Sequence, residues 1–204
     1  MKLLHIDSST LGAQSVSRDL TAAIVAQLKA VNPAVEVTYR DVGSQAPAHL
    51  SGEILFTRFV PAEQWNTTQQ AEAALSETLL EEFLAADVIV IGAPMYNFSV
   101  PSQLKAWIDR IAVAGRTFKY GENGPVGLAG GKKVIVASTR GGMYSTSEGG
   151  RAMDFQEDYL KTVFGFLGIT DVEIVRAEGV NMGEEPKSKA VTEAKARIVE
   201  LAAA

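Results

Sequence analysis

The chain contains no cysteine and only two histidines, His5 and His49, and these shortages narrow its chemistry before any motif is considered. Without thiols there are no disulfides, no thiolate nucleophile and no cysteine-ligated metal, a composition suited to a reducing compartment. His5 reads as a satisfied core residue of the first strand, and His49 as an ordinary loop residue. Cations are also short, since 19 Lys and Arg against 24 Asp and Glu leave a formal net charge of -5. That balance opposes the counterion release that drives nucleic-acid binding, so no nucleic-acid partner is expected. No apolar stretch reaches the roughly 18 residues of a membrane span. The run from Met1 to Ile6 is too short before Asp7 to act as an export signal. The expectation is a cytoplasmic protein without a membrane partner.

Two phosphate motifs are missing as well. No Gly-Lys-Ser or Gly-Lys-Thr follows a glycine-rich turn, which excludes a nucleoside triphosphatase, and no Gly-x-Gly-x-x-Gly follows the first strand. The absent thiolate excludes a cysteine-dependent phosphatase. Gly92-Ala93-Pro94 offers no carboxylate after the third strand, so a phosphoacceptor receiver is excluded too.

What is present is a regular alternation of strands and helices. With 204 residues, 47% of them hydrophobic, the chain suits a single domain spanning 1–204. Lys2 to Asp7 reads as strand one. A helix follows with Leu20, Ile24, Leu28 and Val31 as its core face, and Pro33 stops it. Val35 to Arg40 is a short strand, and Asp41 to Thr68 a long irregular connection carrying Phe56, Phe59 and Trp65, long enough to suggest function. A helix from Gln69 to Ala85 leads to Val88-Ile89-Val90-Ile91, a β-branched run suited to a central parallel strand covered on both faces. The next helix starts near Pro101 and turns Leu104, Trp107, Ile108 and Ile111 inward, leaving Lys105, Asp109 and Arg110 as a solvated face. Thr117 to Pro125 is a small excursion with turn chemistry at Asn123-Gly124. Lys133 to Ser138, a glycine-rich loop from Gly141 to Gly150, a helix from Asp154 to Leu167, the strand Val172 to Ala177 and a helix from Pro186 complete the order. Right-handed crossovers then give an α/β doubly wound, five-stranded parallel sheet, flavodoxin-like, in the order 2-1-3-4-5.

In such a sheet, ligands bind beyond the carboxyl ends of the strands at the switch point. Three loops meet there. Ser9, Ser15, Val16 and Ser17 combine hydroxyls with a helix start whose free amides favour a phosphate, although any one serine would equally serve as a helix cap. Met95, Tyr96, Asn97 and Phe98 would lie along a flat ring. Thr139, Arg140, Gly141 and Gly142 would approach that ring's polar end with main-chain amides. A flavin mononucleotide has the matching parts: a dianionic phosphate, a polyhydroxyl tail and a planar ring with a polar edge.

On these residues, together with Pro94, Val100-Pro101 and Leu104-Lys105, the chain resembles the FMN-dependent NADH azoreductases and NAD(P)H quinone reductases of the flavodoxin-like superfamily over essentially its whole length. The resemblance implies bound FMN, NADH as hydride donor, quinones and azo compounds as acceptors, and a homodimer. Nicotinamide and acceptor would use one flavin face in turn, a ping-pong cycle, and an azo bond would need two cycles to give two amines. Thr139 stands where the family pattern has serine, and Tyr144 where some relatives carry histidine, so no side chain is assigned as proton donor and no metal is expected. Candidate walls of the acceptor pocket are Phe98, Phe118, Tyr120 and Phe164. Phe164 also shares helical spacing with Leu160 and Leu167 and can be read as core. Family resemblance suggests that the Phe118 to Tyr120 excursion reaches a neighbouring subunit's flavin. The alternatives are a flavodoxin-type electron-transfer protein or a flavin-binding regulatory protein.

Overall fold

The β-branched run after Asp87 takes the place its composition calls for. In the computed structural model, which describes residues 1–203, β3 (Val88–Pro94) is buried from end to end. It pairs in parallel with β1 (Lys2–Asp7) on one side and β6 (Lys133–Thr139) on the other. β2 (Glu36–Asp41) flanks β1 and β7 (Asp171–Ala177) flanks β6, giving the sheet order β2-β1-β3-β6-β7. β4 (Phe118–Gly121) and β5 (Gly124–Gly127) form a separate antiparallel hairpin, so the order among the sheet's own strands is 2-1-3-4-5, as expected.

Helices cover both faces. On one, α1 (Val16–Val31) and α7 (Glu184–Ala203) bury Leu20, Ile24, Ala194 and Ile198 against β1, β3 and β6. On the other, α3 (Thr67–Ala85), α4 (Ser102–Ile111) and α6 (Glu157–Phe166) bury Phe83, Trp107, Leu160 and Phe164. Phe83 and Trp107 meet edge to face, with ring centroids 6.1 Å apart. Among the described residues no helix is long and apolar enough to cross a membrane.

Several expectations need correction. Val31 ends α1 with 61% of its surface exposed and is no part of the core face, because the helix outruns the sheet it covers. The 41–68 connection is not irregular. It holds α2 (Gly52–Phe56), capped by the Ser51 hydroxyl on the Ile54 amide, and a short 3-10 turn at Ala62–Gln64. The helix expected from Asp154 to Leu167 is α6 alone, which starts at Glu157 after a turn in which the Asp154 carboxylate accepts the Gln156 and Glu157 amides, and the expected glycine-rich loop ahead of it runs into a short helix, α5 (Glu148–Ala152).

The largest correction concerns Arg110, which is completely buried rather than solvated. Its guanidinium donates to the Ala48 carbonyl at 2.8 Å, to the Ser76 hydroxyl at 2.6 Å and to the Glu72 carboxylate at 2.6 Å. α3 and the long connection close over this residue, replacing solvent with the Glu72 carboxylate, the Ser76 hydroxyl and the Ala48 carbonyl. His5 packs against Tyr39, but its Nε2 stands 3.5 Å from Asp7 without a hydrogen bond, so the ring is core without being satisfied. His49 is an exposed loop residue, as expected.

Candidate functional site

Ser15 settles which serine caps α1. It stands in extended conformation before the helix, and its Oγ accepts the Arg18 amide at 3.3 Å. Ser17 is therefore not the cap. Its hydroxyl lies 3.0 Å from that of Ser15, and Ser9, Ser15 and Ser17 are all at least 95% buried. The first turn of a helix leaves amides without intrahelical acceptors, and here those of Val16 and Ser17 remain available after Arg18 and Asp19 bond back to Ser15. Buried hydroxyls, free amides and the positive end of the α1 dipole form a donor set matched to a phosphate dianion, with no lysine required.

The wall behind this loop is ionic. The Arg18 guanidinium pairs with Asp41 at 2.8 and 2.7 Å and donates to the Ser9 carbonyl at 2.9 Å, holding the loop to the end of β2. Hydrogen bonding from Arg18 leads the causes that hold the Asp41 carboxyl at about 2. Tyr39 donates to Asp7 at 3.0 Å, and burial with that neighbouring carboxylate pushes its hydroxyl up to about 12. The approach is close enough that a Cβ on Gly43 would stand 2.4 Å from the Ser9 carbonyl oxygen.

The loop after β3 is a tight turn held in an uncommon backbone state. Tyr96 and Ser99 exchange amide hydrogen bonds of 2.9 and 3.1 Å, and between them Asn97 and Phe98 have φ of 48° and 70°. Successive left-handed residues without glycine carry strain, more so for phenylalanine than for asparagine. The Tyr96 hydroxyl lies 3.3 Å from the Ser9 hydroxyl and accepts the Thr10 amide at the same distance, joining the first and third strand loops.

The third loop is joined to the second through Met95, whose amide donates to the Thr139 carbonyl at 2.8 Å. Thr139 is buried, and Gly141 and Gly142 are half-buried. The Arg140 side chain does not line this space. Its guanidinium is fully buried, 2.7 Å from Asp154 and 2.6 Å from Glu157 with Glu178 at 3.0 Å, and its amide and carbonyl are bonded to Ala177 and Val180, which leaves the Gly141 and Gly142 amides as the free donors of this loop.

All three expected loops thus converge at one end of the sheet. An open cavity of about 480 Å³ adjoins the first two of them, lined by Thr10, Tyr96 and Asn97 together with Gln103, Lys105 and Tyr159. A larger cavity of about 600 Å³ lies between the 41–68 segment and α3 and α4; it shares no residue with the three loops.

The aromatic walls divide. Phe98 is 45% exposed and meets Tyr144 edge to face at 6.3 Å. Phe118 and Tyr120 pack together at 5.6 Å on the hairpin, with Tyr120 77% exposed. Phe164 is withdrawn as a wall, being fully buried in the core with Leu160 and Leu167 as its helical spacing allows. Sequence reasoning missed Phe166, whose ring lies 4.5 Å from Phe118. A signal existed, because two phenylalanines two positions apart on a helix cannot share one face.

The fold is shared with known proteins. A family model described as flavodoxin-like fold matches residues 1–202. An FMN-dependent NADH:quinone oxidoreductase of Polaromonas naphthalenivorans is 63% identical over 200 residues, covering 97% of this chain and 92% of that one. One from Chromobacterium violaceum is 57% identical and covers 99% of this chain and 100% of its own. Among solved structures, an FMN-dependent NADH-azoreductase of Bacillus anthracis in complex with FMN superposes with a TM-score of 0.91 at 26% identity, covering 99% and 97% of the two chains. An azoreductase from the Sterne strain of that organism superposes with a TM-score of 0.88 at 30% identity, covering 99% and 98%.

Proposed function

We propose, from the premise that this chain belongs to the flavodoxin-like family of FMN-dependent NADH:quinone oxidoreductases, that it reduces quinones and azo compounds with electrons from NADH. The observation that carries this reading is the joining of three loops at the carboxyl ends of β1, β3 and β6 through the Tyr96 hydroxyl and the Met95 amide. Bound FMN supplies the hydride chemistry. The chain's own residues bind and orient.

Ser9, Ser15 and Ser17 with the Val16 amide hold the phosphate. Met95 to Phe98 lie along the ring, and the turn at Asn97 and Phe98, closed by the paired amides of Tyr96 and Ser99, sets the direction of its amides. The loop from Thr139 to Gly142 meets the ring's polar edge with the main-chain donors that β7 leaves free, the Gly141 and Gly142 amides. The Phe98 side chain forms an apolar wall, flat and without directional polar groups, which suits a range of aromatic acceptors.

Nicotinamide and acceptor use that one wall in turn, so the kinetics are ping-pong, and an azo bond is carried to two amines in two turns. The exposed Tyr120, packed on Phe118, which in turn rests on Phe166, reaches the site of a second copy in a homodimer. A cytoplasmic location fits a chain without cysteine. Initial rates measured at several fixed quinone concentrations test the mechanism. Parallel double-reciprocal lines are expected, and intersecting lines would contradict sequential use of one face.

A further inference from the structure

Glu178 stands just beyond β7 with its side chain only 7% exposed, yet the binding roles above give it no part. Its carboxylate gathers one loop. It accepts the Tyr144 amide at 3.0 Å, the Ser145 amide at 3.0 Å, the Ser145 hydroxyl and the Arg140 guanidinium at 3.0 Å. The residues around it run alongside the same loop. Arg140 donates its amide to the Ala177 carbonyl at 2.9 Å, and Val180, Asn181 and Gly179 return amides to the carbonyls of Arg140, Gly141 and Gly142 at 3.0 to 3.1 Å. With every carbonyl from Arg140 to Gly142 taken on that side, the loop's conformation is fixed from behind. Arg140 is itself pinned below by Asp154 and Glu157.

We infer that Glu178 is a positioning residue for flavin binding, which sets the 140–145 loop so that its main-chain donors meet the ring rather than the phosphate. This rests on the flavin reading above. A carboxylate that binds consecutive amides on one side of a turn fixes that turn as a helix cap does, and a neutral amide in its place can accept at one oxygen only. The ring end of the site is therefore governed from β7, and the phosphate end from α1 and β2.

Two flavins separate the ends. FMN and riboflavin, which lacks the phosphate, are each titrated into the purified full-length chain and into Glu178→Gln, Ser145→Ala and Ser17→Ala. The inference expects Glu178→Gln to weaken both flavins by the same factor, tenfold or more. Ser145→Ala, which keeps the carboxylate and its Arg140 partner, should weaken both by about threefold, and Ser17→Ala should weaken FMN alone. Unchanged affinity for both flavins, with only a lower thermal midpoint, would overturn it, as would a loss confined to FMN. If Glu178→Gln does not fold, Ser145→Ala decides by the same criteria. A parent chain that takes up neither flavin refutes the flavin reading itself, a result distinct from any difference among variants.

Discussion

Ser17 shows how a single hydroxyl acquires a role by elimination. Sequence cannot distinguish a capping serine from a ligand-binding one, since both stand at a helix start. The structure separates them by giving the cap to Ser15 and leaving Ser17 buried beside it. Ser17→Ala should weaken FMN by about 1.5 to 3 kcal/mol, the worth of a hydrogen bond to a charged group, as read by fluorescence titration. Unchanged affinity would reduce Ser17 to a packing residue. Asp41 makes a second case. Its carboxyl falls from an ordinary 3.8 to about 2, chiefly through hydrogen bonding from Arg18. A depressed carboxyl adds stability that is complete above the unfolded value and is lost as pH falls through the folded one, so this contribution disappears between about pH 4 and pH 2. Unfolding free energy against pH should show that slope in the parent chain and lose it in Asp41→Asn; identical slopes would contradict the Arg18 pairing.

The elements were legible to different degrees, for physical reasons. Strands buried on both faces are marked by β-branched runs, and β3 and β6 lie where such runs lie. The 41–68 connection was opaque because α2 and its 3-10 turn are too short to show periodicity, and they hold through tertiary contacts. Arg110 was misread because helical spacing places it beside the core face of α4, and only tertiary partners, Glu72 and Ser76 on α3 and Ala48 in the connection, make it interior. Replacing a buried cation that binds Ala48, Glu72 and Ser76 should destabilise the protein by about 3 kcal/mol. Arg110→Met tests this by chemical denaturation. A midpoint equal to that of the parent would show that the connection stays in place without its pin. Gly92 illustrates a position that sequence marks only as a strand end. A Cβ there would stand 2.9 Å from Asp7 Oδ1 and 3.2 Å from the Thr21 methyl, so a side chain at this position would push against the Asp7 carboxylate and the start of α1.

For the molecule as a whole, the three loops were legible because their motifs fall at strand ends, and topology brings strand ends together. Which aromatics join them was not, since that depends on which face of a helix or hairpin turns outward: Phe164 goes into the core and Phe166 out to Phe118. Tyr120→Ala should therefore raise KM for the quinone several-fold while flavin affinity stays within twofold, because the side chain lies outside the three flavin loops. Equal loss of both would assign Tyr120 a folding role.

The most direct measurement is the visible spectrum of the purified chain mixed with FMN, recorded before and after anaerobic addition of NADH. A flavin spectrum that stays with the protein through gel filtration, is bleached by NADH and returns when a quinone is added is the expected result. Protein that emerges colourless, or a bound flavin that NADH leaves oxidised, would contradict the assignment of these three loops to an FMN-dependent reductase.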